Sequence, residues 1–165
     1  MILYQLNKKQ DVIGIVSSDI LSATFEEQIN TAGNLKFTTA KKLRDDCLYV
    51  LFQRPNATTY MCFKILTETQ EDNQVNYTAV ESAYDELGAY SYIKDLRPQN
   101  RTAKEMLTQI LAQTRYSVGY VADTGTQTTN FYYTTVLASL QSVVNLFNLE
   151  ITFDVVFDPI DNQVK

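Results

Sequence analysis

The first half of the chain alternates apolar and polar residues with the period of two that is typical of β-strands. Strands are predicted over Ile2–Leu6, Val12–Val16, Ser22–Ile29, Leu35–Thr38, Leu48–Phe52, Thr59–Thr67 and Val75–Ser82. Polar segments rich in turn-forming residues, such as Asn7–Asp11 and Arg54–Thr58, lie between these runs. Because short polar turns join alternating strands into hairpins, this half is predicted to be an antiparallel β-rich lobe.

The second half changes to a helical period after a short predicted turn at Ala83–Gly88. Thr102 and Glu105 have the spacing of a capping box, which satisfies the exposed N–H groups of a first helical turn. Behind them a single apolar face follows the 3.6-residue repeat, formed by Ala103, Met106, Leu107, Ile110 and Leu111. A helix is therefore predicted near residues 102–113.

A second amphipathic helix is predicted near residues 135–147, with Thr134 or Thr135 as its N-cap. Its apolar stripe consists of Val136, Leu137, Leu140, Val143, Val144 and Phe147. Strands are predicted beside the helices at Tyr116–Val121, Asn130–Tyr133 and Glu150–Phe157, and Ile93–Leu96 is a short segment that ends before Pro98. The fold class is therefore α+β, with a β-rich lobe over residues 1–85 and a small α/β lobe over residues 86–165.

The absence of histidine from the 165 residues excludes several chemistries. Ser-His-Asp and Cys-His catalysis and His-ligated zinc all require an imidazole. The net charge of −5 and the pI near 4.7 disfavour binding to phosphate backbones and anionic lipid surfaces. No run approaches the about 20 apolar residues of a membrane span. The charges of Met1–Lys9 follow its apolar part, which is the wrong order for a signal peptide. We therefore expect a soluble protein that folds in the cytosol.

The remaining candidates for chemistry are weak. Glu150 and Asp154 are spaced to share one face of a predicted strand, and paired carboxylates serve glycoside hydrolysis. The adjacent pairs Glu26-Glu27 and Asp45-Asp46 point apart on a strand, which disfavours a metal site. Cys47 and Cys62 are the only cysteines and are expected to be free thiols. No catalytic, cofactor-binding or metal-binding residue is predicted, and no cofactor.

Tyrosines are the more informative side chains. Six of them lie in the second lobe, namely Tyr90, Tyr92, Tyr116, Tyr120, Tyr132 and Tyr133. Tyrosine rings stack on sugar rings and also anchor protein interfaces. Three interpretations stay open, namely a glycan-binding platform, a protein interface and ordinary half-buried strand residues.

An ordered series of segments resembles a known family. Ala23–Asn30 with Gly33–Thr38 is similar to its opening strand, turn and "L-x-F" strand, and Tyr60–Ile65 with Asn76–Leu87 to its next block. Thr102–Leu111 with Thr114–Gly119 is similar to its "T-A-x-E-x-L … I-L … T-x-W-x-V-G" pattern, with Tyr116 at the aromatic position. Ser139–Gln141 and Glu150–Asp154 match a later "L-x-x-L … E-I-x-F-D" block. The family is the tail-tip or baseplate-hub protein of siphophages that infect Gram-positive bacteria, also called the tail-associated lysin or prophage endopeptidase tail protein.

The resemblance implies a non-enzymatic virion structural protein made in the bacterial host cytoplasm. Its β-rich lobe would be of the tube type, and the full-length protein a homotrimer closing the distal end of the tail tube. The implied partners are the distal tail protein ring, the tape-measure protein and further tail-tip or receptor-binding proteins, with no specific nucleic-acid contacts and no membrane insertion. The alternative is a glycan-binding module of a host-adhesion device. The strand start at Val164-Lys165 further suggests an N-terminal piece of a longer polypeptide, with any lysin chemistry beyond Lys165.

Overall fold

The computed structural model describes residues 1–158 and 163–164, which form two compact units. Unit 1 comprises residues 1–83 and the C-terminal segment from Thr152 onward, and unit 2 comprises residues 84–151. The predicted α+β class is confirmed, because a large antiparallel sheet is combined with three helices in the described part of the chain.

The elements follow the chain in this order: β1 Leu3–Leu6, β2 Val12–Val16, β3 Ile20–Glu26, β4 Asn34–Thr39, β5 Tyr49–Phe52, β6 Met61–Glu71, β7 Gln74–Glu81, α1 Ser82–Ala89, β8 Tyr92–Leu96, α2 Ala103–Leu111, β9 Phe131–Thr135, α3 Val136–Leu146, β10 Phe157–Asp158 and β11 Gln163–Val164. All seven strands predicted before residue 83 are present, with ends shifted by a few residues.

Unit 1 is built on a seven-stranded antiparallel sheet with the order β2-β1-β5-β6-β7-β4-β3. The two edge strands, β2 and β3, are consecutive in sequence and are separated only by Ser17–Asp19. Four residue steps reach at most about 14 Å, whereas six strand spacings of a flat sheet extend over about 29 Å. The sheet must therefore curl until its edges approach each other where β2 ends and β3 begins.

The inner face of the curled sheet carries the main core. It contains Leu3, Val16, Leu35, Phe37, Val50, Phe52, Met61, Phe63, Val75, Tyr77 and Ala79. Alternate residues of β7 are buried, as the period-two pattern requires. The loop after β4 adds Leu43 and Cys47 to this core, and the Leu43 N–H donates to the Tyr77 hydroxyl at 2.9 Å. This bond fixes the loop against the apolar interior.

A second, smaller core lies on the other face of β1, β5 and β6. Leu6, Leu51 and Cys62 form it together with Phe157 of the C-terminal segment. The Phe157 ring lies 4.9 Å from that of Tyr4 and 5.5 Å from that of Tyr60. Tyr60 and Val155 also exchange two backbone hydrogen bonds. These contacts make the C-terminal segment part of unit 1, whereas the sequence-based division placed it in the second lobe, 86–165.

The predicted strand Glu150–Phe157 is wrong for most of its length. The segment pairs only at Val155 and again in β10, which forms a two-residue ladder with β11. Phe157 and Val155 pack against the smaller core of unit 1. The predicted returning strand is observed at Val164, while Lys165 and residues 159–162 lie outside the described residues.

Unit 2 contains the two predicted amphipathic helices. The capping box of α2 is present, with Thr102 Oγ1 accepting from the Glu105 N–H and Glu105 accepting from the Thr102 N–H at 2.9 Å. Thr135 caps α3 by accepting from the Ala138 N–H at 3.1 Å. The predicted apolar face of α2 is buried at all five of its positions. The predicted turn at Ala83–Gly88 is a full helix, α1.

Strands β8 and β9 form a two-stranded ribbon, and a long irregular segment precedes β9. The predicted strand Tyr116–Val121 is wrong, because the segment has no backbone ladder there. The segment is fixed instead by the Arg101–Gln127 bridge and by Thr124, which accepts from the Ala103 N–H at 3.1 Å. A period-two pattern alone cannot supply a pairing partner, and here none of the described strands is adjacent.

The contribution of the C-terminal segment is tested by Phe157→Ala. We expect the free energy of unfolding of unit 1 to fall by about 3 kcal/mol, because a buried aromatic ring leaves a cavity against Tyr4 and Tyr60. Urea denaturation followed by circular dichroism measures the change. The control is Val156→Ala, whose side chain is exposed. An equal effect of both variants would contradict the assigned packing.

Candidate functional site

The two edge strands of the unit 1 sheet carry apolar side chains and little charge. Natural edge strands are usually protected by lysine, proline, inward-pointing charge or β-bulges, and β2 and β3 each have a register shift against the neighbouring strand. Strand β2 contains only Val, Ile and Gly, and β3 carries a single charge at its last residue, Glu26. Ile15 on β2 is 61% exposed and Leu21 on β3 is 57% exposed. We call β2 and β3 the assembly edges, because their apolar side chains and backbone edges suit pairing with another strand.

A buried carboxylate lies near the start of β4. Glu81 ends β7, and its Oε2 accepts from the Gly33 N–H at 3.1 Å, while the Glu81 N–H donates to the Gly33 carbonyl at 2.9 Å. A Cβ at position 33 would come within 3.0 Å of the Phe25 ring and 3.4 Å of the Glu81 carboxylate. A larger residue would therefore be tightly packed at this position, and the Glu81 side chain holds the β3–β4 turn.

The charges around Glu81 are unbalanced. Burial raises the pKa of Glu81 to about 7, the Gly33 N–H and Arg54 oppose this rise, and the negative charges of Glu27 and Asp154 add to it. Arg54 donates to Glu27 and lies 5.8 Å from the centre of the Phe25 ring. The Arg54 Nε is buried without a hydrogen-bond partner among the described residues. Burial and the neighbouring carboxylates thus disfavour the charged form of Glu81.

The carboxylate pairs singled out from the sequence do not form a catalytic arrangement. Glu150 and Asp154 are not on a common strand, so the predicted shared face is wrong; they fall in different compact units. Asp154 accepts from Thr59 Oγ1 at 3.1 Å.

The carboxylates of the two adjacent acidic pairs form ion pairs with lysine and arginine side chains. Glu26 pairs with Lys36 and Glu27 with Arg54, while Asp45 pairs with Lys42 and Asp46 with Arg44. Each carboxylate thus has its own nearby lysine or arginine.

Cys47 and Cys62 are free thiols, as predicted, and they lie in different cores. Burial raises the pKa of the Cys47 thiol to about 11. Because the thiolate is the nucleophilic form, this environment suppresses thiol reactivity near neutral pH. The Cys47 thiol donates to the Tyr49 carbonyl at 3.4 Å, so its role in unit 1 is structural.

The tyrosines of unit 2 divide into two groups. Tyr90, Tyr92, Tyr120, Tyr132 and Tyr133 are exposed. Tyr132 and Tyr133 also contact each other, with ring centres 4.6 Å apart and planes at 88°. The exposed group is therefore available to a ligand or partner, and the interpretation as half-buried strand residues fails for it.

Tyr116 belongs to a hydrogen-bonded cluster that the sequence did not reveal. Its hydroxyl donates to Glu86 Oε2 at 3.1 Å, and Arg115 donates to the same carboxylate through Nε and through Nη2 at 2.8 Å. The Arg115 guanidinium also lies 5.1 Å from the centre of the Tyr116 ring. Glu86 is 29 residues from Arg115 in sequence, so no local pattern could have linked them. The cluster anchors the irregular segment to α1.

None of the helices in the described residues is long and apolar enough to cross a membrane.

Comparison with solved structures defines the class of fold. The prophage tail protein gp18 from Listeria monocytogenes EGD-e superposes with a TM-score of 0.66 and 13% identity, covering 99% of this chain and 49% of that one. The E. coli c3393 protein is described as a type VI secretion component with structural similarity to the T4 bacteriophage tail proteins gp27 and gp5. It superposes with a TM-score of 0.50 and 13% identity, and the match covers 76% of this chain and 39% of the c3393 chain. The fold is therefore that of phage tail hub-like proteins, and this chain spans half or less of the length of these structures.

The family comparison agrees with the fold. Residues 91–165 match the family described as the prophage endopeptidase tail domain. The resemblance to prophage endopeptidase tail proteins, inferred from ordered motifs, is thus confirmed, and the match includes the motif blocks from Thr102 onward. Among curated proteins, none matches the sequence.

The Glu81 cluster makes unit 1 sensitive to pH. The folded pKa of Glu81, about 7, lies above its ordinary value of 4.5. Its contribution to stability is therefore full below pH 4.5 and is lost as the pH rises to about 7. We expect Glu81→Gln to remove this part of the pH dependence, because the amide oxygen still accepts from Gly33 and carries no charge. The variant should be more stable than the parent at pH 8 by on the order of 2 kcal/mol.

Urea denaturation at several pH values between 4.5 and 8 measures this effect. Glu71→Gln is the control, because that carboxylate is exposed on β6 and its removal should leave the slope unchanged. A Glu81→Gln variant that keeps the pH dependence of the parent would contradict the assignment.

Proposed function

We propose that this chain is a structural segment of a phage tail tip. In this role it is a baseplate hub segment that closes the distal end of the tail tube and links the tube to host-recognition or lysin parts. The observation that carries the proposal is the match of its fold over 99% of its length to a prophage tail protein. The family match over residues 91–165 supports the same role.

The assembly edges support an oligomeric role for unit 1. An antiparallel sheet whose edge strands expose Ile15 and Leu21 gains hydrogen bonds and apolar burial when another strand pairs with it. We propose a homotrimer of the full-length protein, in which the β-rich unit is the tube-type lobe. We propose that the full-length protein has a second such lobe, since the similar prophage tail protein extends beyond the matched region. Three chains with two lobes each would then match a six-fold ring.

The proposed partners follow from this position. They are the ring of distal tail protein, the tape-measure protein and further tail-tip or receptor-binding proteins. The proposed location is the tail tip of the virion, after synthesis in the host cytoplasm. The chain's charge of −5 is consistent with contacts to proteins in preference to a nucleic-acid backbone.

We infer that the segment is a scaffold and not a peptidase, although the matched family is described as an endopeptidase tail domain. The sequence contains no histidine, so a His-dependent mechanism has no base. The Cys47 thiol is buried with its pKa raised to about 11, which is the opposite of an activated nucleophile. Host attachment or lysis would then be functions of other parts of the tail.

A glycan-binding module of a host-adhesion device is the second candidate. One observation favours it, namely the exposed contact between Tyr132 and Tyr133 on the β8–β9 ribbon. Such a module is compatible with a structural role, because the pair lies in unit 2 and the assembly edges lie in unit 1.

The hub proposal predicts that the chain binds the distal tail protein of the same phage. Leu21→Lys and Ile15→Lys should each weaken this binding or the self-association of the full-length protein by at least about tenfold, because pairing would bury an uncompensated charge. Light scattering after size-exclusion chromatography measures the mass of the complex.

Leu66→Lys is the matched control for the assembly experiment. Leu66 is 56% exposed, much like the two test positions, but it lies on β6 in the interior of the sheet order. Its substitution should leave assembly unchanged. Absence of a complex with the ring, or equal behaviour of all three variants, would count against the proposal.

The scaffold interpretation predicts no hydrolytic activity. The purified chain should release no more soluble peptide or reducing sugar from bacterial cell walls than a buffer blank releases. A Cys47→Ser variant is the second arm, since any thiol-dependent activity of the parent should then disappear. Cell-wall hydrolysis by the parent above the blank would contradict the scaffold role.

A further inference from the structure

Tyr133 has a backbone conformation that side chains of its kind rarely adopt. Its φ is 44°, within the left-handed region. In the described residues, the other non-glycine positions with positive φ are Gln10, Asn30, Asn56, Asp72, Asn100 and Asn148. The chain thus fills its left-handed positions with short polar residues or glutamine, as steric principles favour. An aromatic ring at position 133 is the exception.

The strand register does not require this conformation. Tyr92 pairs with Thr135 and Ile93 with Thr134 on one side of Tyr133, and Asp95 pairs with Tyr132 on the other. The register is therefore continuous across position 133, and no extra residue is accommodated there. The left-handed turn at Tyr133 does not serve to insert a bulge.

The conformation does change where the ring lies. Neighbouring residues of a regular strand point to opposite faces, so Tyr132 and Tyr133 would normally be separated by the ribbon. Here the two rings touch, with centres 4.6 Å apart and planes at 88°, and they are 65% and 70% exposed. The strained backbone thus builds a corner of two perpendicular aromatic faces that is open to solvent.

Hydrogen-bonding groups lie beside this corner. Asp95 is directly opposite Tyr132 in the ribbon, so their side chains are neighbours. Arg97 donates to the Asp95 carboxylate through Nε at 2.8 Å and through Nη2 at 2.9 Å. The Asp95–Arg97 ion pair, which offers hydrogen-bond acceptors and donors, therefore borders the corner. The two tyrosines of the corner add their phenolic hydroxyls.

We propose that Tyr132, Tyr133, Asp95 and Arg97 form a binding site for an uncharged glycan. The apolar C–H face of a pyranose ring stacks on one tyrosine while the second tyrosine bounds its edge. The sugar hydroxyls exchange hydrogen bonds with the phenols and with the Asp95–Arg97 pair. The net charge of −5 favours a neutral polymer over a polyanion.

The composition of the ribbon favours a glycan over a protein partner. Its other exposed residues are Tyr92, Lys94 and Asp95, while the aliphatic residues Ile93 and Leu96 are half-buried. The centre of a protein interface is depleted in lysine and aspartate and needs a wider apolar area. A small aromatic corner with polar neighbours fits a sugar ring better. This site rests on the second candidate function, the glycan-binding module, and not on the hub role of unit 1.

The test measures binding of neutral oligosaccharides to the 165-residue chain. The probes are cellohexaose, maltohexaose and chitohexaose, and the readouts are isothermal titration calorimetry and tyrosine fluorescence, which is not masked because the sequence contains no tryptophan. At least one probe should bind. Tyr132→Ala and Tyr133→Asn should each weaken that binding by about tenfold, since each removes one stacking face.

The melting temperature separates binding from folding. Tyr133→Asn should keep or raise it, because asparagine tolerates a positive φ better than tyrosine does. Loss of binding in a variant that is at least as stable as the parent is the expected signature of a ligand-binding residue. Tyr120→Ala is the matched control: Tyr120 is an exposed tyrosine of unit 2 outside the corner, and its substitution should leave binding unchanged.

Several outcomes would overturn the proposal. One is the absence of binding to all three probes, and another is full binding by Tyr133→Asn. A change of oligomeric mass in the tyrosine variants without any glycan binding would assign the corner to a protein interface instead.

Discussion

The three residues between β2 and β3 impose the constraint on which the rest of unit 1 depends. They join the two edge strands of a seven-stranded sheet, so the sheet curls and gains an inner and an outer face. The inner face buries the large apolar core, and the loop around Leu43 covers part of it. The outer face of β1, β5 and β6 then needs its own cover, which Phe157 provides from the far end of the chain. The curvature also leaves two strand edges near each other and open.

Structural and chemical roles are carried by different parts of the molecule. In unit 1 the open edges and the buried Glu81 are features of a scaffold, since one favours strand pairing and the other holds a turn. In unit 2 the cluster of Glu86, Arg115 and Tyr116 fixes an irregular segment through side chains. Among the described residues, Tyr133 of the Tyr132–Tyr133 corner is the aromatic residue with a positive φ. The described part of the chain thus combines a β-rich unit that has apolar edge strands with a small helical unit that exposes aromatic side chains.

Much of the local structure follows from the sequence because it depends on local physics. The period-two runs gave the strands of unit 1, and the capping box with its apolar stripe gave α2. The same reasoning failed at Tyr116–Val121 and across most of Glu150–Phe157, where the alternation is present but no neighbouring strand offers a ladder. Strand pairing is a long-range property, so an alternating segment without a partner remains irregular.

The sequence by itself determined most strands of unit 1, the two amphipathic helices, the net negative charge, the absence of imidazole chemistry and the resemblance to tail proteins, because these depend on composition, spacing and order. Only the tertiary structure decided that the C-terminal segment belongs with the first strands, that Glu81 is buried among other charges, and that Tyr132 and Tyr133 share one side of a ribbon. Each of these depends on groups distant in sequence or on one backbone angle. Neither contacts between distant residues nor a single backbone angle is encoded in a local pattern of polar and apolar residues.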